Sequence, residues 1–527
     1  MFPKTDRVKT GYLFRNQRYL MAVKPLSSTP SHPIQIISHD TVYSGGLEKG
    51  VCTWKGIPYA KSTAGEGRFR PPQIPEKVDE IVADQFGPAC PQHKHLNVPK
   101  NENCLNLNIW ARFGAKRRPV LFYIHGGSFM SGTGSDPVFD GQELVEAENI
   151  VVVTINYRLG VLGILDFSFL GDRFTPNCAI LDVCMALRWT YEHIADFGGN
   201  PDNITVMGES AGGSIVSLLP TLPEAAQYIS KCVISSGVPT EFWTKSQAQQ
   251  MAQGYMKFMG ISSAEELLAI SAERIGDSTQ DFTQYTKLGA ASYEPSVDGK
   301  IIRDFPLVSV QQAEFKKIPM WIGMTRDEMS FLTFSILSRR WGLAKLMEEG
   351  TDEESAALRE KIIKIYDETY DKDDARIQLY SDMVIRAPLI WYAEEASQTT
   401  HVWFYRMDWS SRIMDKLGIK AFHSSDLPFF FGNFNFPANR IYYQGKEEKK
   451  IVKAIERSIQ RDLATFMDSG TLPWETATEG FIGKCYGAEI RYEAIMPKEI
   501  RDYWRQTTYH ERSFISAWQS NNTGTNQ

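Results

Sequence analysis

Short, unbroken apolar runs rich in β-branched residues recur along the chain between stretches of helical periodicity. Pro119-Val120-Leu121-Phe122-Tyr123-Ile124, residues 150–155 and Ile204-Thr205-Val206-Met207 are runs of this kind. Cys232-Val233-Ile234, Met320-Trp321-Ile322 and Val402-Trp403-Phe404-Tyr405 follow later. A strand with one wet face alternates apolar and polar residues, whereas a continuous run marks a strand covered on both faces, as in a parallel sheet under helices. The runs are spread over most of the chain, so they predict one large α/β body rather than the three average domains that 527 residues would allow. Residues 244–285 and 338–397 read as helical, and the charge runs Glu348-Glu349 and Asp352-Glu353-Glu354 read as a solvated helix face. Ile451, Ile455, Ile459, Leu463 and Phe466 share one face of a helix that Gly470 and Pro473 stop. Residues 1–33 mix charge, Ser and Pro without a period and read as an extension. The body is placed at 34–515 and a polar tail at 516–527.

Composition adds exclusions. With 43% hydrophobic and 23% charged residues the chain has ample core material and is far from the signature of disorder. A formal net charge of −6 leaves no basic field for a phosphate backbone, so no nucleic-acid partner is expected. No apolar run has the length of a transmembrane segment or a secretory signal, so the expected location is the cytoplasm, with secretion or the endoplasmic reticulum lumen as the alternative. The seven cysteines include no Cys-x-x-Cys pair and there is no His-Glu-x-x-His, so neither a metal nor a cofactor is expected.

Gly208-Glu209-Ser210-Ala211-Gly212 fits Gly-x-Ser-x-Gly. The pentapeptide alone is a weak signal, but the strand 204–207 runs into it and the helix-compatible 211–219 follows. A nucleophile elbow needs this order, because the turn thrusts the serine hydroxyl beyond the sheet edge. Ser210 is therefore the candidate nucleophile, and a serine hydroxyl needs a base and an acid to orient that base. Of the histidines far enough downstream, His401 opens a strand and His510 falls in a terminal helix, whereas His423 sits in a turn-rich loop after the strand 402–405. Loops at the carboxyl ends of strands are where such sheets keep their chemistry, which makes His423 the base. Its reference pKa of about 6.5 places the rise of activity near or somewhat above roughly pH 6 to 7. The acid should also follow a strand, and Asp327 and Glu328 after Met320-Trp321-Ile322 are equally placed. His125-Gly126-Gly127-Ser128 follows another strand, and the amides of Gly127, Ser128 and Ala211 would form the oxyanion hole.

With these residues placed, the chain resembles the type B carboxylesterases of the carboxylesterase and cholinesterase family, which are α/β-hydrolases. The likeness covers roughly residues 34–515 and includes Gly56-Ile57-Pro58-Tyr59-Ala60, Glu102-Asn103-Cys104-Leu105-Asn106, Asn156-Tyr157-Arg158-Leu159-Gly160, Phe197-Gly198-Gly199-Asn200-Pro201 and Val297-Asp298-Gly299. It implies an α/β-hydrolase fold, a mostly parallel central sheet with helical insertions over the active site, and hydrolysis of a small-molecule or lipid ester without metal or cofactor. It selects Glu328 as the acid, although Met329 stands where the family has Gly. It implies a supporting serine at Ser236, a buried acid beside the base at Asp426, a buried structural acid at Glu209, and a disulfide between Cys90 and Cys104. That bridge sits uneasily with a cytoplasmic location, since disulfides are rare there.

Two departures bear on substrate. The stretch between Cys90 and Cys104 holds no aromatic residue, where cholinesterases carry a cation-binding Trp, so choline-ester selectivity is not expected. Gly289 and Ala291 stand near positions that cholinesterases fill with bulky aromatics, which implies a roomier acyl pocket. The family also holds noncatalytic adhesion proteins, usually with an incomplete triad, and the same residues could transfer an acyl group to an alcohol. Both remain alternatives to hydrolysis at this point.

Overall fold

The computed structural model describes residues 33–93, 98–330, 353–434, 439–477 and 480–506. Its centre is a sheet of 13 strands. In chain order the strands are β1 (Pro33–Ser38), β2 (Thr41–Glu48), β3 (Val51–Pro58), β4 (Glu80–Val82), β5 (Asn106–Arg112), β6 (Arg118–Ile124), β7 (Val151–Ile155), β8 (Gly199–Glu209) and β9 (Lys231–Ser235). After β10 (Trp243–Thr244) and β11 (Ser296–Val297), which form a separate ribbon, come β12 (Met320–Thr325), β13 (Val402–Met407), β14 (Ile482–Tyr486) and β15 (Ile490–Ala494). Across the sheet the order is β1-β2-β3-β5-β7-β6-β8-β9-β12-β13-β14-β15, with β4 beside β2.

From β7 to β14 every neighbouring pair is parallel. The flanks β1-β2-β3-β5-β7 and β14-β15 are antiparallel. Parallel neighbours need long crossovers, and the helices between them supply these. Side-chain direction explains the unbroken apolar runs: Val120, Phe122 and Ile124 pack into the core on one face of the sheet, while Leu121 and Tyr123 pack into a second core on the other. The outer strands β1 to β3 and β15 lack such runs because one face of each is wetter, whereas β5 is buried from Asn106 to Ala111 and its apolar pattern is interrupted by Asn106 and Asn108. β2 alternates buried and half-buried residues over much of its length, and no residue of β15 is fully buried.

The predicted helical stretches break at identifiable signals. Residues 244–285 form helices Lys245–Met259, Ala264–Ala269 and Ala272–Thr286, the first ending at Gly260 with φ 69° and the other two capped by Ser263 and Ser271. Of 338–397, the described part forms helices Glu353–Thr369, Lys372–Ser381 and Ala387–Ser397, with a π-helical turn at Asp382–Arg386. The apolar stripe from Ile451 lies on helix Gly445–Ser469, which stops at Gly470. Pro33 is the first described residue and opens β1; the extension before it, the tail, His510 and the charge run Glu348-Glu349 with Asp352 lie outside the described residues. Among the described residues no helix is long and apolar enough to cross a membrane.

Candidate active site

β8 ends at Glu209 and helix Ala211–Leu218 starts at once, which leaves Ser210 alone to make the turn at φ 56°, ψ −126°. A non-glycine residue in this region is strained and persists only when its surroundings hold it. Here Ser210 N donates to the Ser235 carbonyl at 3.0 Å, and Ser214 N donates to the Ser210 carbonyl at 2.9 Å. The glycine after the serine is a matter of space, since a Cβ on Gly212 would stand 2.1 Å from the Ile124 carbonyl oxygen of β6.

β6 in turn delivers the loop that starts at His125. Gly127 has φ 111°, and Ser128 and Phe129 also take positive φ, so the chain coils tightly beside the elbow. The loop is held from below: the Tyr157 hydroxyl donates to the His125 carbonyl at 2.8 Å and its ring stacks on the imidazole. The amides of Gly127, Ser128 and Ala211 donate to no acceptor among the described residues. For Ala211 this is the normal state of a first-turn helix N–H, and it leaves the donor for an outside anion.

Glu328 follows β12 and is fully buried. Its Oε2 lies 2.6 Å from His423 Nδ1, while its Oε1 accepts from the Ser236 hydroxyl and from Thr325 N, each at 2.6 Å. The adjacent Asp327 points elsewhere. It accepts from Gln378 Nε2 at 2.9 Å and from Ala421 N at 3.2 Å, and its own amide donates to the Ala421 carbonyl. The two carboxylates that spacing left equal therefore serve different ends, since one meets the imidazole and the other ties down the loop that carries it.

The far side of the ring faces Glu209, with His423 Nε2 3.3 Å from Glu209 Oε1, and Ser424 also donates to that oxygen. Among the described residues no hydrogen bond joins His423 to the Ser210 hydroxyl. Burial pulls the His423 pKa down, but the charges of Glu209 and Glu328 outweigh it and raise the imidazole to about 9. Burial lifts Glu209 to about 7 against the opposing pull of His423. Burial also pushes Glu328 up, yet His423 and the three hydrogen bonds together hold it below the usual carboxylate value.

Asp426 is fully buried, accepting from the Ser235 hydroxyl and the Tyr405 hydroxyl at 2.8 Å each, and its charge also acts to raise His423. Ser236 bonds the acid rather than the base. Ser424, Ser235 and Tyr405 carry no motif of their own in the sequence, though Ser235 and Ser424 adjoin residues that do. Cys90 and Cys104 are joined in a disulfide. Gly289 and Ala291 lie on the short 3-10 turn Gly289–Ser292. Asp408, Cys485 and Glu493 come close enough together to suit a metal ion, but Arg406 already donates to both carboxylates there.

The model of the carboxylesterase family matches residues 41–523. The chain belongs to the carboxylesterase family. Its similarity to the para-nitrobenzyl esterase of Bacillus subtilis is 33% identity, covering 86% of this chain and 93% of that protein. Fumonisin B1 esterase of Sphingopyxis macrogoltabida is 31% identical over 74% of this chain and 73% of its own length. Among solved structures, a carboxylesterase of Geobacillus stearothermophilus superposes with a TM-score of 0.79 at 31% identity, covering 89% of this chain and 99% of that one. The carboxylesterase is thus an α/β-hydrolase with a mostly parallel central sheet, and a serine-type carboxylic ester hydrolase.

Proposed function

We propose that this carboxylesterase hydrolyses small carboxylic esters through an acyl-enzyme on Ser210. The observation that carries the reading is the buried Glu328–His423 pair at 2.6 Å, set beside a serine held at positive φ on the elbow. Ser210 Oγ attacks the ester carbonyl as His423 Nε2 takes its proton, a step that requires the ring to turn its Nε2 from Glu209 toward the hydroxyl. Glu328 fixes the tautomer with the proton on Nδ1 and offsets the imidazolium charge, while Ser236 and Thr325 N hold Glu328 still. The amides of Gly127, Ser128 and Ala211 receive the oxyanion. The imidazolium then protonates the departing alcohol, and water, deprotonated by the same nitrogen, releases the acid. Glu209 and Asp426 act on His423 by charge.

A fluorophosphonate probe tests the assignment together with p-nitrophenyl butyrate. Ser210 is expected to carry the label, and Ser210→Ala is expected to lose both labelling and nearly all turnover. Substantial turnover by Ser210→Ala, or a wild-type protein that labels elsewhere, would overturn it.

A further inference from the structure

Glu328 stands in the loop that leaves β12 at Thr325, so no strand ladder fixes its backbone. The amides of Arg326 and Asp327 still find carbonyls, those of Met407 and Ala421, at 2.9 Å each. The Arg326 carbonyl, one oxygen of the Asp327 carboxylate and the Met329 amide turn instead to a single other stretch of chain. That stretch is the end of helix Lys372–Ser381 and the π-helical turn Asp382–Arg386 that continues it. Arg386 Nη2 donates to the Arg326 carbonyl at 2.7 Å, Gln378 Nε2 donates to Asp327 Oδ1 at 2.9 Å, and Met329 N donates to the Ser381 hydroxyl oxygen at 3.1 Å. The residues on both sides of Glu328 are thereby held by one element, and Glu328 between them is left to meet His423.

Arg386 is the hub of this clamp. Its Nη2 also donates to Gln378 Oε1 at 3.1 Å, which fixes the orientation of the amide: the oxygen faces the guanidinium and the NH2 is left for Asp327. An amide turned the other way would set an oxygen against a carboxylate. Arg386 Nη1 donates to Asp382 Oδ1, four residues back, and Asp382 Oδ2 accepts from the Tyr366 hydroxyl. The Tyr366 oxygen in turn accepts from the Trp504 indole at 2.9 Å, so the guanidinium is braced from helices Glu353–Thr369 and Lys498–Arg505. Gln378, Ser381, Asp382 and Arg386 are all buried. Gln378, Asp382 and Arg386 recur every four residues, which keeps them on one side of the helix, and π-helical turns are rare and concentrate at functional sites.

We propose that Arg386 is a positioning residue for Glu328: by holding the Arg326 carbonyl and the Gln378 amide together, it sets the loop on which the acid meets His423. This rests on the hydrolytic reading above, in which Glu328 orients the base. A guanidinium that served only to offset Asp382 would need one of its terminal nitrogens, whereas here the second goes to the loop of the acid. Misplacing a reacting group by about 1 Å can cost on the order of a hundredfold in rate, so the contact bears on turnover although Arg386 touches no reacting atom.

Arg386→Lys keeps a cation opposite Asp382 and replaces the fork by a single nitrogen, which cannot span Asp382, Arg326 and Gln378 together. Its kcat for p-nitrophenyl butyrate, counted per Ser210 labelled to completion with a fluorophosphonate, is expected to fall about tenfold with KM changed less than about twofold. A fold that is merely weakened would yield fewer labelled sites at an unchanged rate per site. The double variant Asp382→Asn with Arg386→Met leaves no buried charge unpaired; it is expected to show the same split, and it carries the test if Arg386→Lys does not fold. In a Glu328→Gln background the loss caused by Arg386→Lys is expected to shrink to less than about threefold, because the group it positions has lost its function. An unchanged kcat per labelled site in a folded variant, a rise in KM at constant kcat, or an equal loss with and without Glu328 would overturn the role of Arg386. A wild-type protein that neither turns over the ester nor labels at Ser210 would instead overturn the hydrolytic reading itself.

Discussion

His423 Nε2 lies 3.3 Å from Glu209 Oε1, so the nitrogen proposed as the base faces a carboxylate. That contact sets the charge state of the imidazole. A base whose pKa is raised is unprotonated only above the raised value, and with Glu209 and Glu328 lifting His423 to about 9 the alkaline form is postponed. The reference value of about 6.5 places the rise of activity near neutrality; the structure moves it upward.

Glu209→Gln removes one of the two charges and keeps an acceptor for Ser424. The His423 pKa is then expected to fall, so the acid limb of kcat/KM should move to lower pH by about one unit or more. A pH profile on p-nitrophenyl butyrate for both proteins checks this. A limb that stays in place or moves up would show that Glu209 does not govern the base.

The Ser236 hydroxyl gives Glu328 one of its three hydrogen bonds, at 2.6 Å. Ser236→Ala leaves a fully buried carboxylate short of a donor, and a lost charge-assisted bond of this kind is worth about 1.5–3 kcal/mol. With the acid less well held, kcat is expected to fall by roughly tenfold to a hundredfold with little change in KM. The split is the readout: a rise in KM at constant kcat would place Ser236 in substrate binding instead.

Much of this site was legible in the chain, and what was not has physical causes. The elbow can be read because a strand, a Gly-x-Ser-x-Gly turn and a helix are consecutive, and β6 and His125 can be read for the same reason. Asp327 and Glu328 could not be told apart by spacing, because both follow β12 at once and the partners that give them their separate places, Ala421 and Gln378 for one and His423 for the other, are distant in sequence. Asp426, Ser235 and Tyr405 meet across 21 to 191 positions of sequence, which no local pattern encodes. The antiparallel strands β1 to β3 and β15 escaped because a half-wet strand lacks the apolar run that marks a covered one.

That division of labour between the two adjacent carboxylates gives a paired prediction. Glu328→Gln keeps the shape but disturbs the tautomer and removes the countercharge, so kcat is expected to fall by about three orders of magnitude or more with the melting temperature little changed. Asp327→Asn sets an N–H2 against the donors from Gln378 on one side or Ala421 on the other, and is expected to cost about 1–3 kcal/mol of stability. Its effect on kcat should be smaller and secondary to loosening of the loop. If Asp327→Asn were the more damaging for kcat, the assignment of the acid would have to be exchanged.

The cysteines give a chemical count. Cys90 and Cys104 are bridged, and Cys52, Cys178, Cys184, Cys232 and Cys485 are free. Denatured but unreduced protein is therefore expected to show five reactive thiols, rising to seven after reduction. In the native state they should react slowly, since four are buried and burial pushes the thiols up, Cys52 and Cys178 to about 11 and Cys184 to about 12. Seven thiols before reduction would mean that the protein as isolated lacks the bridge.

The Asn156-Tyr157-Arg158-Leu159-Gly160 stretch connects stability to the same site. Tyr157 supports the loop proposed to receive the oxyanion, and the next residue, Arg158, is buried with Nε and Nη2 directed to the two oxygens of Asp182 at 2.8 and 2.7 Å. Nη1 of Arg158 also reaches the Arg70 carbonyl at 2.8 Å, and Arg158 N donates to Asp182 as well. Burial opposes both charges, so each is tolerated only because the other is present. Asp182→Asn removes one charge, leaves a guanidinium buried without its counterion, and is expected to destabilise by about 3–5 kcal/mol. The loss should exceed that of the double variant Asp182→Asn with Arg158→Met, in which no unpaired charge remains, and a thermal melt of the three proteins checks the order. Because Arg158 adjoins Tyr157, the single variant is also expected to lower kcat through the Gly127–Ser128 turn, with the Glu328–His423 pair untouched; a shifted acid limb in its pH profile would contradict that route.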